Sequence, residues 1–517
     1  MDRKKYTKRI INLISLLVII LVLNLIAYDS YYKIDLTENK LYTISNATKK
    51  ILGSLNDKVT IKVVTSTDIP SPYNSRIRYF INLLKEYENY SKGKISLDVI
   101  ATDKTEDLDK MASLYSIPPL QVNAIENDNL QIKKIYMGAV FIYRDKKQDI
   151  PVIANVENVE YEVSTIINNL ASSQKAKIAL IDAGSSANMR KDIAGLYKTI
   201  SKNYDVEPLK IANGKVIDKK FDLALLISPQ SKLEDYEVYA LEEFLMSGKN
   251  IILALDLIQG SPQSGYAYSV ETGLDNFLKI NGLNLKKEII YDANASIITV
   301  QGDAGGFNIA TSIRYPFFPQ IVNFNKDHSI SKNLTAANLI YPTPINIEVD
   351  NTTKDNITYT TIAKTSNFSG LEKPPYNVSI ERDFTREDFN KGPQTVAVLA
   401  SGTFKSEFDK PLAGYEDNFR KSGEGKMFLI TDGDFIKDQY ISSANNDALL
   451  LNSIDYLLSD PELAMLRGKK HTFNPITIND VSLQNFLKYS SIFLPLLLAA
   501  IVIFIIGRIY KARRQCL

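Results

Sequence analysis

This sequence of 517 residues has almost none of the residue types that build disulfides, metal sites and redox centres. It contains one cysteine (Cys516), two histidines (His328 and His471) and no tryptophan. A single thiol cannot form an internal disulfide or a Cys-x-x-Cys pair, and no spacing of His and Cys fits a metal site. We therefore expect no metal and no redox cofactor, and stability must come from the hydrophobic cores that a chain of this length can build.

The common motifs of catalysis are also missing. The chain has no P-loop, no dinucleotide-binding glycine pattern and no Gly-x-Ser-x-Gly turn. A Ser–His pair is disfavoured, because His328 lies in an irregular stretch and His471, next to Lys470, reads as solvated. The sequence thus predicts a protein that is not an enzyme and cannot hydrolyse ATP by itself.

Two long apolar segments, residues 10–28 and 489–507, bracket the chain. A bilayer-spanning helix takes about 20 apolar residues, so each segment predicts a transmembrane helix. A cleaved signal peptide is the alternative for the first, but no small-x-small cleavage site lies near Ala27. The tails outside them, 1–9 and 508–517, are basic, and Lys and Arg stay preferentially cytoplasmic. We expect a bacterial inner-membrane protein with cytoplasmic termini and a periplasmic main domain.

The charge balance excludes nucleic acid as a partner. The formal net charge is +2, but each tail carries +4, which leaves −6 for the residues between them. Binding to nucleic acid requires a basic face. The membrane, a protein complex, or an envelope or small-molecule ligand are the partners that this balance allows.

The residues between the two apolar segments predict two α/β domains. In the first, residues 29–170, Ser45 is a helix N-cap and a strand–helix–strand pattern predicts parallel pairing in a thioredoxin-like layer. In the second, residues 171–460, apolar strands alternate with amphipathic helices, which is typical of an open, mainly parallel sheet. Residues 293–390, rich in Asn, Thr, Pro and Gly, predict an irregular insertion, and residues 461–488 a linker.

Acidic residues follow several of the predicted strands of the second domain. Ligands of open α/β sheets bind at the carboxyl ends of the strands, whereas Asp in such turns also commonly caps the next helix. A loop with Gly184 and Ser185 predicts an anion cradle at a helix N-terminus. The candidate ligand-binding residues are Asp182, Gly184, Ser185, Asp256, Asp432 and Asp434.

An aromatic and proline-rich stretch, residues 314–319 (RYPFFP), has the most unusual local composition. Clustered aromatic residues with an arginine are typical of partner surfaces. The same composition also fits a loop that packs on its own sheet. The sequence leaves both interpretations open.

Several segments resemble one protein family. Residues 35–45 (DLTENKLYTIS) resemble the segment that follows the first span of GldG-type auxiliary components of gliding-motility-associated ABC transporters. Residues 221–229 (FDLALLISP), 248–256 (GKNIILALD), 432–435 (DGDF) and 446–457 fit the same family, although these motifs are shared more widely. The resemblance covers nearly the whole chain.

The resemblance implies an accessory, substrate-binding-like subunit that works with a separate permease and a separate cytoplasmic ATPase. The second domain is also similar to the glutamine-amidotransferase fold and to the related domain of a ciliary transport protein. Enzymes of that fold need a cysteine nucleophile after a strand and a histidine, and both are missing here. The alternatives are a protein that binds or cleaves envelope glycans with the strand-end carboxylates, and a purely structural scaffold.

Overall fold

The computed structural model describes most of the chain between residues 43 and 458. The described residues are 43–102, 105–126, 129–153, 156, 158–172, 175–184, 186–304, 307–332, 334–348, 356–458, 488–490 and 493. The chain divides into two compact units, Met1–Lys470 and His471–Leu517. The description of helices, strands and sites below concerns the first unit. The predicted boundary between domains 29–170 and 171–460 remains a prediction.

The predicted fold class is wrong in its two flanking transmembrane helices. Among the residues that the structure describes, no helix combines the length and the apolar composition needed to cross a bilayer. The long helix Tyr73–Ser91, for example, has 19 residues but is amphipathic, with Arg76 and Lys85 on it. Segment 10–28 lies outside the described residues, as does 489–507 apart from Tyr489, Ser490 and Phe493.

A four-stranded sheet in the order β2-β1-β5-β6 forms the first layer. The predicted strand–helix–strand unit is confirmed, because β1 and β2 pair in parallel across α2, while β5 and β6 add antiparallel. Ser45 caps α1 as predicted, accepting the N–H of Thr48. The elements are α1 (Asn46–Ser54), β1 (Val59–Ser66), α2 (Tyr73–Ser91), β2 (Ile95–Thr102), α3 (Thr105–Leu114), β3 (Leu120–Glu126), β4 (Asn129–Ile135), β5 (Met137–Tyr143), β6 (Lys146–Ile150) and α4 (Val159–Ala171).

An eight-stranded sheet dominates the rest of the unit. Its order is β17-β20-β22-β23-β10-β9-β7-β8, with the five strands from β23 to β8 parallel and the remaining three antiparallel. The elements that build it and its helices are β7 (Lys177–Asp182), α5 (Ala194–Ser201), β8 (Asp205–Lys210), β9 (Leu223–Ile227), α6 (Asp235–Met246), β10 (Asn250–Ala254), β17 (Asn323–Phe324), β20 (Ile357–Lys364), β22 (Thr395–Lys405), β23 (Ser422–Ile430) and α8 (Asn446–Leu458).

Strand β9 is apolar along its whole length because both faces of the sheet are covered. In β9, Leu223 and Leu225 belong to the core on one face, and Ala224 and Leu226 to the core on the other. Such continuous apolar runs are typical of parallel strands buried on both sides. Pro208, which cannot donate a ladder hydrogen bond, stands in the edge strand β8, where that loss costs least.

The segment predicted to be irregular contains regular strands. β15 and β16 form a long hairpin, and β17 and β20 extend the large sheet. The aromatic stretch packs on its own sheet, since Tyr315 and Phe317 are buried. The remaining elements are β11 (Ile258–Ser261), β12 (Tyr266–Ser269), α7 (Asp275–Ile280), β13 (Leu283–Leu285), β14 (Ile289–Asp292), β15 (Ala295–Ala304), β16 (Phe307–Ile321), β18 (Ala337–Asn338), β19 (Ile345–Ile347) and β21 (Ser369–Glu372), with 3₁₀ turns at Arg386–Asp388, Glu416–Asn418 and Asp434–Ile436.

Candidate functional site at the carboxyl edge of the large sheet

Four neighbouring parallel strands, β7, β9, β10 and β23, end at one edge of the large sheet. Asp182 ends β7, Asp256 follows β10 and Asp432 follows β23. The structure brings Asp256 and Asp432 together, but Asp182 is exposed and β9 lies between its strand and β10. Because neighbouring strands are about 4.8 Å apart, Asp182 stands roughly two strand widths from Asp256.

Asp256 is buried and accepts two hydrogen bonds from the chain itself. Its Oδ2 accepts the hydroxyl of Ser228, and its Oδ1 accepts the backbone N–H of Gly433. A Cβ at Gly433 would lie 2.7 Å from the nitrogen of Ser228, so this approach requires glycine. Burial, together with the nearby charge of Asp434, raises the pKa of Asp256 to about 7.

Asp432 is fully buried and acts as a cap. Its Oδ1 accepts the N–H groups of Asp434 (2.8 Å) and Phe435 (3.2 Å) at the start of the 3₁₀ turn. Its Oδ2 accepts the N–H of Ile340 at 2.6 Å, which ties a distant loop to the sheet edge. Burial first, and then the charges of Asp256 and Asp434, raise the pKa of Asp432 well above its usual range.

Asp434 and Lys437 close the outer side of this cluster with an ion pair. Both side chains are mostly shielded from solvent. Burial alone would lower the pKa of Lys437, but the charge and the hydrogen bond of Asp434, together with the charges of Asp256 and Asp192, outweigh burial and raise the pKa. Within the part of the chain that the structure describes, no group of three or more His, Cys, Asp or Glu side chains could hold a metal ion.

Ser228, which sequence reasoning did not single out, is the centre of the cluster. Its hydroxyl contacts Asp256, lies 3.3 Å from Oδ1 of Asp434 and accepts Nε2 of Gln230 at 2.7 Å. The residue has a positive φ of 50° and is completely buried. A Ser-Pro pair after a strand predicts a turn, and nothing in it indicates this backbone conformation.

The loop after β7 differs from the predicted anion cradle. Gly184 has a φ of +58°, and its carbonyl accepts the N–H groups of Gln230 (2.8 Å) and Ser231 (2.9 Å). The next helix, α5, begins only at Ala194, so this loop does not lie at a helix N-terminus. Ser185 lies outside the described residues. Ligand binding by the six candidate residues remains a prediction.

The fold and this edge together define a class: a mixed α/β protein whose buried strand-end carboxylates bind its own backbone and hydroxyl groups. The family described as an ABC-type uncharacterized transport system matches residues 175–453. This match spans more than half of the chain, and the chain therefore belongs to this family of transporter auxiliary components. Residues 38–142 match a domain of unknown function.

Two individual proteins are also similar to this chain. An uncharacterized protein of Borreliella burgdorferi is 22% identical over 493 residues, which are 94% of this chain and 94% of that protein. The solved mmIFT52 N-terminal domain aligns with 12% identity and a TM-score of 0.35, over 55% of this chain and 98% of that domain. The family match gives an accessory role in an ABC transport system, which associates the chain with a membrane complex, and does not extend to gliding motility.

Proposed function

We propose that this protein is a non-enzymatic accessory subunit of an ABC transport complex, acting by binding or mechanical coupling on the extracytoplasmic side of the bacterial inner membrane. Its partners are a permease subunit and a cytoplasmic ATPase subunit. Family membership supports the accessory role. The most specific form of the proposal is that this complex serves gliding motility. A strain that lacks the protein would then lose the ability to spread on a surface.

The observation that supports a non-enzymatic role is that the side chains at the carboxyl edge of the large sheet form hydrogen bonds with the protein itself. A serine nucleophile needs access to substrate and a base that takes its proton. Ser228 is completely buried, and its hydroxyl contacts Asp256, Asp434 and Gln230. Both oxygens of Asp432 accept backbone N–H groups. These side chains hold the sheet edge together and do not face a substrate.

Helix α4 supports the proposed coupling role, because two consecutive residues of this helix form hydrogen bonds to different parts of the protein. Glu160 binds the start of α1, and Tyr161 binds helix α8. Glu160 accepts the N–H of Ser45 at 2.7 Å and the hydroxyl of Thr48 at 2.9 Å, which fixes the start of α1. Tyr161 donates to buried Asp455 on α8 at 2.7 Å. Movement of the chain before Ser45 would therefore pass through α4 to the helix that packs on the large sheet.

Purification of the complex tests this proposal. We expect the tagged full-length chain, extracted in mild detergent, to co-purify with a nucleotide-binding subunit and a multi-span permease. The ATPase rate of that complex should change when the chain is removed. Recovery of the chain alone, under conditions that keep other ABC complexes intact, would refute the accessory role.

The second candidate function is an enzyme that acts on envelope glycans through the strand-end carboxylates. The raised pKa of buried Asp256 favours it, since such shifts also occur in catalytic acids. The triple variant Asp182→Asn, Asp256→Asn, Asp432→Asn separates the two functions. Loss of a glycan-hydrolysing activity in an intact complex would establish the enzyme, whereas an unchanged complex with unchanged transport favours the accessory subunit.

A further inference from the structure

A cleft of about 1140 Å³ lies between α4, strand β6, the end of α5 and the start of α8. None of its lining residues belongs to the carboxylate cluster. Clefts of this size are large enough to enclose a small ligand or a short chain segment.

Unsatisfied polar groups are concentrated in the walls of this cleft. The described residues contain nine buried side-chain polar atoms without a hydrogen-bond partner, and five of them belong to residues that line it. Thr165 and Asn452 are only 8% and 3% exposed. Since buried polar groups nearly always have partners, such a concentration indicates a surface built for a ligand. The five atoms are Asn158 Oδ1, Thr165 Oγ1, Asn169 Nδ2, Ser201 Oγ and Asn452 Oδ1.

The charged residues of the cleft do not favour an ionic ligand, because four lysines (Lys146, Lys147, Lys175 and Lys202) and three acidic residues line it and their charges nearly balance. Lys146 donates to the carbonyl of Ser172 at 2.9 Å, and Lys175 to that of Lys202 at 2.8 Å, so both ammonium groups bind carbonyls at helix ends. Glu162, Asp149 and Asp447 also line the cleft and would repel an anion. Desolvation raises the pKa of Glu162, although the charge of Lys202 opposes this shift. The unsatisfied atoms are all neutral donors or acceptors.

We propose that this cleft binds an uncharged segment of another polypeptide in extended conformation. Carboxamides offer one donor and one acceptor side by side, which matches the alternating N–H and C=O groups of a peptide backbone. Asn158, Asn169 and Ser201 are half-buried, so that rotation of each side chain can turn its polar end towards the ligand. The carboxamide residues of the lining are Gln148, Asn158, Asn169, Asn203, Asn445 and Asn452.

A carbohydrate fits these walls less well. Sugars bind against exposed aromatic faces in addition to hydrogen-bonding groups, and Tyr161 is the only aromatic residue among the described residues of the lining. It is 7% exposed, and its hydroxyl donates to Asp455. The peptide proposal does not depend on the transporter role, because it rests on the walls of the cleft alone.

Two isosteric variants make the proposal testable. Thr165→Val removes an unpartnered hydroxyl from the cleft, and Thr343→Val removes one that is equally buried but lies outside it. Each variant should unfold at a slightly higher temperature than the parent chain, since an unsatisfied buried hydroxyl is destabilising. Only Thr165→Val should lose peptide binding, by about tenfold. Asn169→Leu, at a half-buried position, should weaken binding similarly.

The probe is a pool of end-capped peptides of about nine residues made of Gly, Ala, Ser, Thr and Asn, added to the purified full-length chain. We expect the pool to slow hydrogen exchange in α4 and α8, with the two cleft variants needing higher concentrations. Chitotetraose serves as the carbohydrate comparison. No protection at millimolar peptide, protection by chitotetraose alone, or equal loss in Thr343→Val and Thr165→Val would each overturn the proposal.

Discussion

At the scale of single residues, Glu242 on α6 is a buried acid that should make stability depend on pH. It is 1% exposed and accepts Ser406 Oγ at 2.6 Å and the N–H of Glu407 at 3.2 Å. Burial outweighs these bonds and raises the pKa of Glu242 from 4.5 to about 8. The folded state therefore keeps a proton that the unfolded chain releases, so this contribution to stability is lost as pH rises from about 4.5 towards 8.

Replacing this acid by its neutral analogue should remove that loss. We expect Glu242→Gln to raise the free energy of unfolding by about 4 kcal/mol near pH 8 and to leave it unchanged near pH 4. Urea unfolding of both proteins at about pH 4, 6 and 8 provides the measurement. An equal effect at all three pH values would mean that the carboxyl ionises in the folded state as it does in water.

Asp256 allows a direct comparison of two substitutions, because Asn keeps hydrogen-bonding groups at this position and Ala removes them. Asp256→Asn keeps an acceptor for Gly433 and a polar partner for Ser228, and should change stability by less than about 1 kcal/mol. Asp256→Ala leaves the buried N–H of Gly433 without its acceptor and takes one partner from Ser228, and should cost about 2–4 kcal/mol. Thermal unfolding near pH 7 distinguishes them. Equal losses in the two variants would contradict the stabilising role of the hydrogen bonds that Asp256 accepts.

Sequence reasoning found some residues of the candidate site and missed others for a physical reason. Asp256 and Asp432 follow apolar strands, and parallel strands end at one edge, so their proximity was predictable. Ser228 depends on a positive φ that the Ser-Pro pair does not indicate. Ile340 reaches Asp432 from 92 residues away, and a hydrogen bond through a backbone N–H leaves no mark in the sequence.

At the scale of elements, the long hairpin β15–β16 shows where pattern and composition disagree. Ile313, Tyr315 and Phe317 fall on alternate positions of β16, which is a strand pattern. The nearby Gly302, Gly305, Gly306 and Pro319 disfavour a strand. The prediction of an irregular segment follows this composition and not the alternating pattern. The structure accommodates the proline with a change of register between the pairs at Ala295 and Ile297. The strands β7, β9 and β10 carry no such conflict, and their prediction is confirmed.

The contact between α4 and α8 should be cooperative. Asp455 on α8 accepts the hydroxyls of Tyr161 (2.7 Å) and Tyr204 (2.5 Å). Each Tyr→Phe substitution should cost about 1–2 kcal/mol, and the double substitution more than their sum, because buried Asp455 then loses two hydroxyl donors at once. A double-mutant cycle by urea unfolding measures the coupling, with Tyr268→Phe on the exposed hairpin as control. Strict additivity would show that the two bonds are independent.

At the scale of the whole molecule, the proposed extracytoplasmic position can be tested by chemical labelling of a single cysteine. Cys516 is the only native cysteine, so Cys516→Ser gives a background in which one introduced cysteine reports its own location. Tyr266 in β12 is 76% exposed, so a cysteine at this position is accessible to a reagent. We expect a membrane-impermeant maleimide to label Tyr266→Cys in intact cells, and to label native Cys516 only after lysis. The extracytoplasmic position is part of the proposal and rests on the two basic tails, since Lys and Arg stay preferentially cytoplasmic, and not on the fold itself. Labelling of Tyr266→Cys only after lysis would place the sheet, the cleft and its peptide ligand on the cytoplasmic side, next to the ATPase.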